Sequence, residues 1–86
     1  MSNAIVSNKI TNLENGIHWV STPHAHRYVT VNTDDAETMT VAFRNIRVVI
    51  NKNTREVVKA DTVNDEHDEK SVDSFIRHLT EVVSVN

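Results

Sequence analysis

The chain has 86 residues and a mass of 9.7 kDa, with one Gly, one Pro, no Cys and a formal net charge of −3. A chain of this length forms a single domain, residues 1–86, and buries only about 60% of the surface it exposes when unfolded, so a deep catalytic pocket is not expected. The lack of Cys excludes disulfides and Cys-ligated zinc, and because no apolar run approaches the ~20 residues that span a bilayer, we expect a cytoplasmic protein without membrane contact.

The N-terminal part of the chain has the weakest pattern. We expect residues 1–4 to be disordered and residues 5–63 to be mainly β-structure, because β-branched Val and Thr are frequent there. The apolar residues of 5–13 fit one side of a short helix, but the Asn and Thr residues between them disfavour it. Asn15-Gly16 is typical of a type I′ turn, which predicts a hairpin leading into the next strand.

Alternation of apolar and polar residues predicts strands in the middle of the chain. A strand after Pro23 would place Val29 and Val31 on one face, since side chains two residues apart point the same way. Residues 38–50 read as a long strand in which the apolar positions change from odd to even. This change indicates a bulge or a tight turn at Arg44-Asn45.

A polar turn at residues 51–54 predicts a hairpin between the preceding strand and residues 55–60. One face of this hairpin is apolar and suits a covering helix: Ile46, Val48, Ile50, Val58 and Ala60. The opposite face is mixed and cationic: Arg47, Val49, Asn51, Arg55, Val57 and Lys59. We expect this mixed face either to meet water or to be covered by the segment with Ile17 and Trp19, or by another chain.

The C-terminal segment has the spacing of a helix. Apolar residues recur every three or four positions in residues 71–84, with Ser71 as the expected N-cap and Asp73 in the first turn. We therefore predict an α+β fold, in which a small antiparallel β-sheet of three to five strands, built from β-hairpins, packs against one C-terminal amphipathic α-helix.

The charges are unevenly distributed along the chain. Residues 27–60 carry six Lys or Arg and four Asp or Glu, whereas residues 61–86 carry two and seven. The acidic side chains at the approach to the helix form a candidate partner-binding surface: Asp61, Asp65, Glu66, Asp68, Glu69 and Asp73. Carboxylates also favour the positive end of a helix dipole and keep a loop solvated, which is the alternative interpretation.

A second candidate surface is basic. The cations of the hairpin predict contacts with the phosphates of RNA or DNA: Arg47, Lys52, Arg55 and Lys59. Tyr28 or Trp19 would stack on a base if either shares that face. Alternatively, these cations only solubilise the strands and protect the sheet edges.

Signals for catalysis and for metal binding are weak. His18, His24 and His26 are the candidates for a His-based metal site, but no Cys ligand or His-Glu-x-x-His pattern accompanies them. The single Gly excludes a Gly-rich phosphate loop, and no nucleophile motif is present. We predict no catalytic residues, no metal and no cofactor.

In size, lack of Cys and polarised charge, the chain resembles the accessory proteins that phages and mobile elements use against host defence or regulatory factors, although no motif is shared. The resemblance implies a small non-catalytic binding or inhibitor protein that acts by protein–protein interaction. The alternative is an RNA- or DNA-binding module, and a His-based metal-binding protein is less favoured. We expect the chain to act as a monomer or as a homodimer, the latter because small domains gain stability by association.

Overall fold

The computed structural model of the chain describes residues 4–62 and 69–86. Two helices and six strands are formed in these ranges. The helices are α1 (Asn8–Thr11) and α2 (Glu69–Glu81). The strands are β1 (Gly16–Ser21), β2 (His26–Thr33), β3 (Thr38–Phe43), β4 (Ile46–Asn51), β5 (Val57–Thr62) and β6 (Ser84–Val85).

The strands form one antiparallel sheet in the order β5-β4-β3-β2-β1-β6. The predicted α+β fold, with a small antiparallel sheet and one C-terminal helix, is confirmed, but the described sheet has six strands rather than three to five. The additional strand is β6, which returns after the helix and pairs Val85 with Val20. The parity change at Arg44-Asn45 is a tight turn between β3 and β4, one of the two alternatives that the sequence left open.

The N-terminal segment enters the sheet from a helical turn, so the hairpin predicted at Asn15-Gly16 is wrong. The Ser7 side chain caps α1 by accepting a hydrogen bond from the Lys9 backbone N–H at 3.2 Å. Ile10 of α1 is fully buried in the core. Burial of this one side chain outweighs the low helix propensity of its polar neighbours, because most helical stability in proteins comes from packing.

The register of β5 changes within the strand. A shift at Val49/Ile50 brings Val57, rather than Val58, opposite Ile50. Val57 consequently packs against the core, whereas Val58 is 60% exposed. The predicted faces of these two residues are therefore wrong, and Arg55 lies before the strand, in the turn, rather than on the mixed face.

Helix α2 begins before Ser71, which lies inside the helix and is not its N-cap. It ends at Glu81 because the following residues join the sheet edge, where the Val83 N–H donates to the Ser21 carbonyl at 2.8 Å. Phe75, Leu79 and Val82 are buried with the strand residues of one sheet face. No described helix has the length and apolar character needed to cross a membrane.

The core lies between the helices and this one face of the sheet. Its buried apolar residues come from both helices, the neighbouring chain and four strands: Val6, Ile10, Val20, Val29, Val31, Met39, Val41, Ile46, Val48, Ile50, Phe75, Leu79 and Val82. Val29 and Val31 share the core face, as their spacing predicts. In the described ranges, neither helix packs on the other face of the sheet.

Candidate binding surface

The face of the sheet opposite the core, here called the open face, is defined by the strand register. Residues directly opposite each other in neighbouring strands point to the same side. The open face thus carries alternate residues of five strands: Ile17, Trp19, Ser21, His26, Tyr28, Thr30, Asn32, Thr38, Thr40, Ala42, Arg47, Val49, Asn51, Lys59 and Asp61. Ile17 and Trp19 belong to β1 itself, so the alternative in which their segment covers this face is excluded, and the other two alternatives stay open.

One end of the open face is an aromatic patch made of Ile17, Trp19, His26 and Tyr28. Trp19 and Tyr28 are cross-strand partners, and their ring centroids are 4.4 Å apart at an interplanar angle of 57°. Trp19 also stacks on the His26 ring, with centroids 5.6 Å apart and an angle of 12°. Aromatic pairs of this kind contribute about 0.5–1.5 kcal/mol beyond area burial, so the rings support one another in place.

Three members of the aromatic patch are exposed to solvent, and Trp19 is half-buried among them. Tyr28 is 63% exposed and Ile17 is 71% exposed. His26 is further positioned by a hydrogen bond of 2.8 Å between its Nδ1 and the Ser21 Oγ. Large apolar side chains clustered on an accessible surface are typical of interaction sites rather than of scattered surface residues.

The other end of the open face is a shallow polar groove of about 490 Å³. Its lining residues come from four strands and the turn after β2: Thr30, Asn32, Asp34, Thr40, Ala42, Arg47, Val49 and Asp61. The Thr40 hydroxyl donates to the Asp34 carboxylate at 2.6 Å, which fixes one wall. Arg47 lies opposite Asp61 in the register of β4 and β5.

The predicted basic residues do not form one continuous track. Arg47 and Lys59 lie on the open face, but Lys52 and Arg55 lie in the turn after β4. The Lys59 ammonium forms an ion pair of 3.2 Å with the Asp61 carboxylate. Arg47 makes no ion pair with any described residue. Arg47 therefore lies in the groove with the carboxylates of Asp34 and Asp61 but without an ion pair to the described residues.

The predicted acidic residues are only partly placed. Asp61 lies on the open face and is paired with Lys59, whereas Asp73 is exposed on α2, on the other side of the sheet. Glu69 begins α2. Asp65, Glu66 and Asp68 lie outside the described residues. The acidic surface therefore stays a prediction for that part of the chain.

The three candidate metal-binding His residues point in different directions. His26 lies on the open face, but His18 pairs with Val29 and lies on the core face. The His18 Nε2 is 2.7 Å from the Glu14 carbonyl oxygen, and His24 lies in the turn between β1 and β2. In residues 4–62 and 69–86, no three His, Asp or Glu side chains are placed to hold a metal ion.

Comparison with protein-family models, with curated proteins and with solved structures finds no match to this chain. Sequence reasoning named Trp19 and Tyr28 as possible stacking residues but did not identify Ile17 and His26 as their neighbours. The pairing register of the β1–β2 hairpin would have identified these neighbours, because it brings all four side chains to one face.

Proposed function

We propose that this chain is a non-catalytic binding protein that recognises another protein through the open face of its sheet. The main support for the proposal is the aromatic patch, which is solvent-accessible, internally packed and on the same face as Arg47. The chain would inhibit its target protein by covering the surface that the target uses to bind other molecules.

The composition of the open face suits a protein interface. Trp, Tyr and Arg are the residues that most often dominate binding energy at such interfaces. Trp19 is already held between Tyr28 and His26, so little side-chain freedom remains to be lost on binding. A partner that fits would present an apolar side chain to the aromatic patch and a carboxylate to Arg47.

A nucleic acid suits this face less well. A base has access to the exposed Tyr28 ring, which shares the face with Arg47, whereas the Trp19 ring is already packed against Tyr28 and His26. Phosphate tracking, however, needs a surplus of cations, and here Asp61 pairs with Lys59 while Asp34 lines the same groove. The balanced charge therefore favours a protein partner.

Site-specific photo-crosslinking tests this proposal. A photoreactive phenylalanine analogue replaces Tyr28 on the open face, and in a matched control it replaces Arg77, which is exposed on α2. In an extract of the native host cells, we expect a covalent adduct from position 28 only. Nuclease treatment should leave the adduct intact, and excess unlabelled parent protein should suppress it, whereas excess Trp19→Ala protein should not.

Four results would contradict the proposal. They are an adduct from position 77 alone, no adduct from either position, an adduct that nuclease removes, and an adduct with the mass of two copies of this chain. A nuclease-sensitive adduct would instead support the nucleic-acid alternative. Circular dichroism of Trp19→Ala should match that of the parent, because the residue lies outside the core.

A further inference from the structure

A second cavity lies on the helix side of the sheet, between the β3–β4 turn and the start of α2. This cleft has a volume of about 360 Å³. Its lining combines three cations with uncharged polar and apolar side chains: Arg27, Phe43, Arg44, Asn45, Ile46, Lys70, Ser71 and Ser74. None of the described residues that line it is a carboxylate. The cleft thus lies on the opposite side of the sheet from the open face, and its described lining is cationic, whereas the groove of the open face contains carboxylates.

The two arginines of the cleft share one aromatic support. The Arg27 guanidinium carbon is 4.7 Å from the centroid of the Phe43 ring, and that of Arg44 is 5.3 Å from it. Phe43 in turn stacks on the buried Phe75, with ring centroids 5.5 Å apart. Cation–π contacts with a ring that is fixed to the core restrict the directions in which both guanidinium groups point.

Arg27 has hydrogen-bonding capacity that the described chain does not use. Its Nε is buried and has no hydrogen-bond partner among the described residues. Neither Arg27 nor Arg44 makes an ion pair with a described residue. A buried donor without an acceptor is unfavourable, so the fold holds the Arg27 side chain in this position at a cost in stability.

Arg44 occupies a backbone position that normally favours glycine. Its φ is 55°, in the left-handed region, within the tight turn that joins β3 and β4. The side chain nevertheless remains at the mouth of the cleft and over Phe43. Strained residues of this kind concentrate at ligand-binding sites, where the side chain has a role that glycine lacks.

We propose that this cleft binds an oxyanion of the phosphate class, held by the guanidinium groups of Arg27 and Arg44. A guanidinium group offers a planar fork of donors that matches phosphate oxygens. The tetrahedral oxygens of a phosphate can give each of two forks its own pair of acceptors, whereas the two oxygens of a carboxylate lie in one plane and would have to be shared. The cleft volume leaves room for a substituent, so the ligand class includes phosphate monoesters.

Nuclear magnetic resonance of the arginine side chains tests this inference on the full chain. Inorganic phosphate, glycerol phosphate and acetate are titrated separately while the Nε–Hε signals of Arg27 and Arg44 are followed. We expect both signals to shift saturably with inorganic phosphate or with glycerol phosphate, at concentrations at least tenfold below those needed for acetate. Saturation by inorganic phosphate alone defines a free-phosphate site, and tighter binding of glycerol phosphate defines a monoester site.

Variants separate binding from folding. Arg27→Gln and Arg44→Gly should each weaken phosphate binding at least tenfold, and Arg44→Gly should melt no lower than the parent because glycine suits the turn. Arg77→Gln on the exposed part of α2 is the matched control and should bind phosphate as the parent does. Non-saturating shifts, equal responses to acetate and phosphate, or unchanged binding by both cleft variants would overturn the inference.

Discussion

At the scale of single residues, His78 is a buried ionisable side chain whose charged form the fold disfavours. It is 5% exposed, and its Nε2 has no hydrogen-bond partner among the described residues. Burial lowers the pKa of the His78 imidazole from its usual 6.5, and the positive charge of Arg27 lowers it further, as does His26 to a smaller extent. Glu81 and a backbone hydrogen bond involving Val20 oppose this shift only in part.

The lowered pKa of His78 predicts a loss of stability in mild acid. Below the usual pKa of 6.5, His78 binds a proton in the unfolded chain but not in the folded chain. Proton binding then favours the unfolded state, so the free energy of unfolding falls as the pH falls towards the folded-state pKa. Urea denaturation from about pH 5 to about pH 8 should show this slope in the parent. His78→Leu should flatten it, and an equal slope in both proteins would contradict the assignment.

The left-handed backbone of Arg44 predicts that glycine stabilises the turn. Arg44→Gly should raise the free energy of unfolding by about 0.5–1 kcal/mol, because a side chain at this φ of 55° crowds the following carbonyl. The matched control is Arg77→Gly in α2, which should cost about 1 kcal/mol through loss of helix propensity. Urea denaturation measures both, and a lower stability for Arg44→Gly would show that the Arg44 contacts outweigh the strain.

At the scale of secondary-structure elements, the N-terminal segment determines the start of β5. The Val57 N–H donates to the Ala4 carbonyl at 2.9 Å, and the Val6 N–H donates to the Arg55 carbonyl at 2.9 Å. These long-range hydrogen bonds accompany the register shift that turns Val57 towards the core and Val58 towards solvent. Local alternation in the sequence contains no information about this pairing.

The register shift predicts different costs for two adjacent valines. Val57→Ala should lower the free energy of unfolding by about 1 kcal/mol more than Val58→Ala, because Val57 packs against the core and Val58 is 60% exposed. Both substitutions remove the same β-branched side chain from the same strand, so each controls for the other. Chemical denaturation that gave equal costs, or a larger cost for Val58→Ala, would contradict the register.

Sequence reasoning succeeded where the signal is local. The parity change in residues 38–50 located the β3–β4 turn, and the spacing of Phe75 and Leu79 located the buried side of α2. It failed where a distant partner decides the structure. The end of α2 depends on pairing with β1, and α1 depends on the burial of Ile10, so neither could be read from the surrounding residues.

For the candidate surfaces too, the sequence predicted what depends on local chemistry and missed what depends on long-range pairing. The sequence identified Trp19, Tyr28 and Arg47 as interaction residues by their chemistry alone. The β1–β2 register brings Trp19 and Tyr28 to one face, and it is accompanied by a turn in which the Thr22 N–H donates to the Ala25 carbonyl at 2.8 Å. The registers of β2–β3 and β3–β4 bring Arg47 to the same face. The cleft around Arg27 and Arg44 was not predicted, because it joins β2, the β3–β4 turn and α2, which are far apart in the sequence.

At the scale of the whole molecule, the two sides of the sheet differ in what covers them. The helices bury one face, and the aromatic patch and the polar groove remain on the other. Trp19 is the only Trp in the chain, so a probe at this residue reports on the open face without interference from a second site. The central claim is that a partner protein covers this face.

Fluorine resonance of Trp19 tests that claim most directly. The protein is prepared with 5-fluorotryptophan, and its single signal is recorded in increasing amounts of native host extract pretreated with nuclease. We expect the signal to shift or broaden, and to recover when excess unlabelled parent protein is added but not when excess Trp19→Ala protein is added. A signal that stays sharp and unshifted at all extract concentrations would contradict binding through the open face.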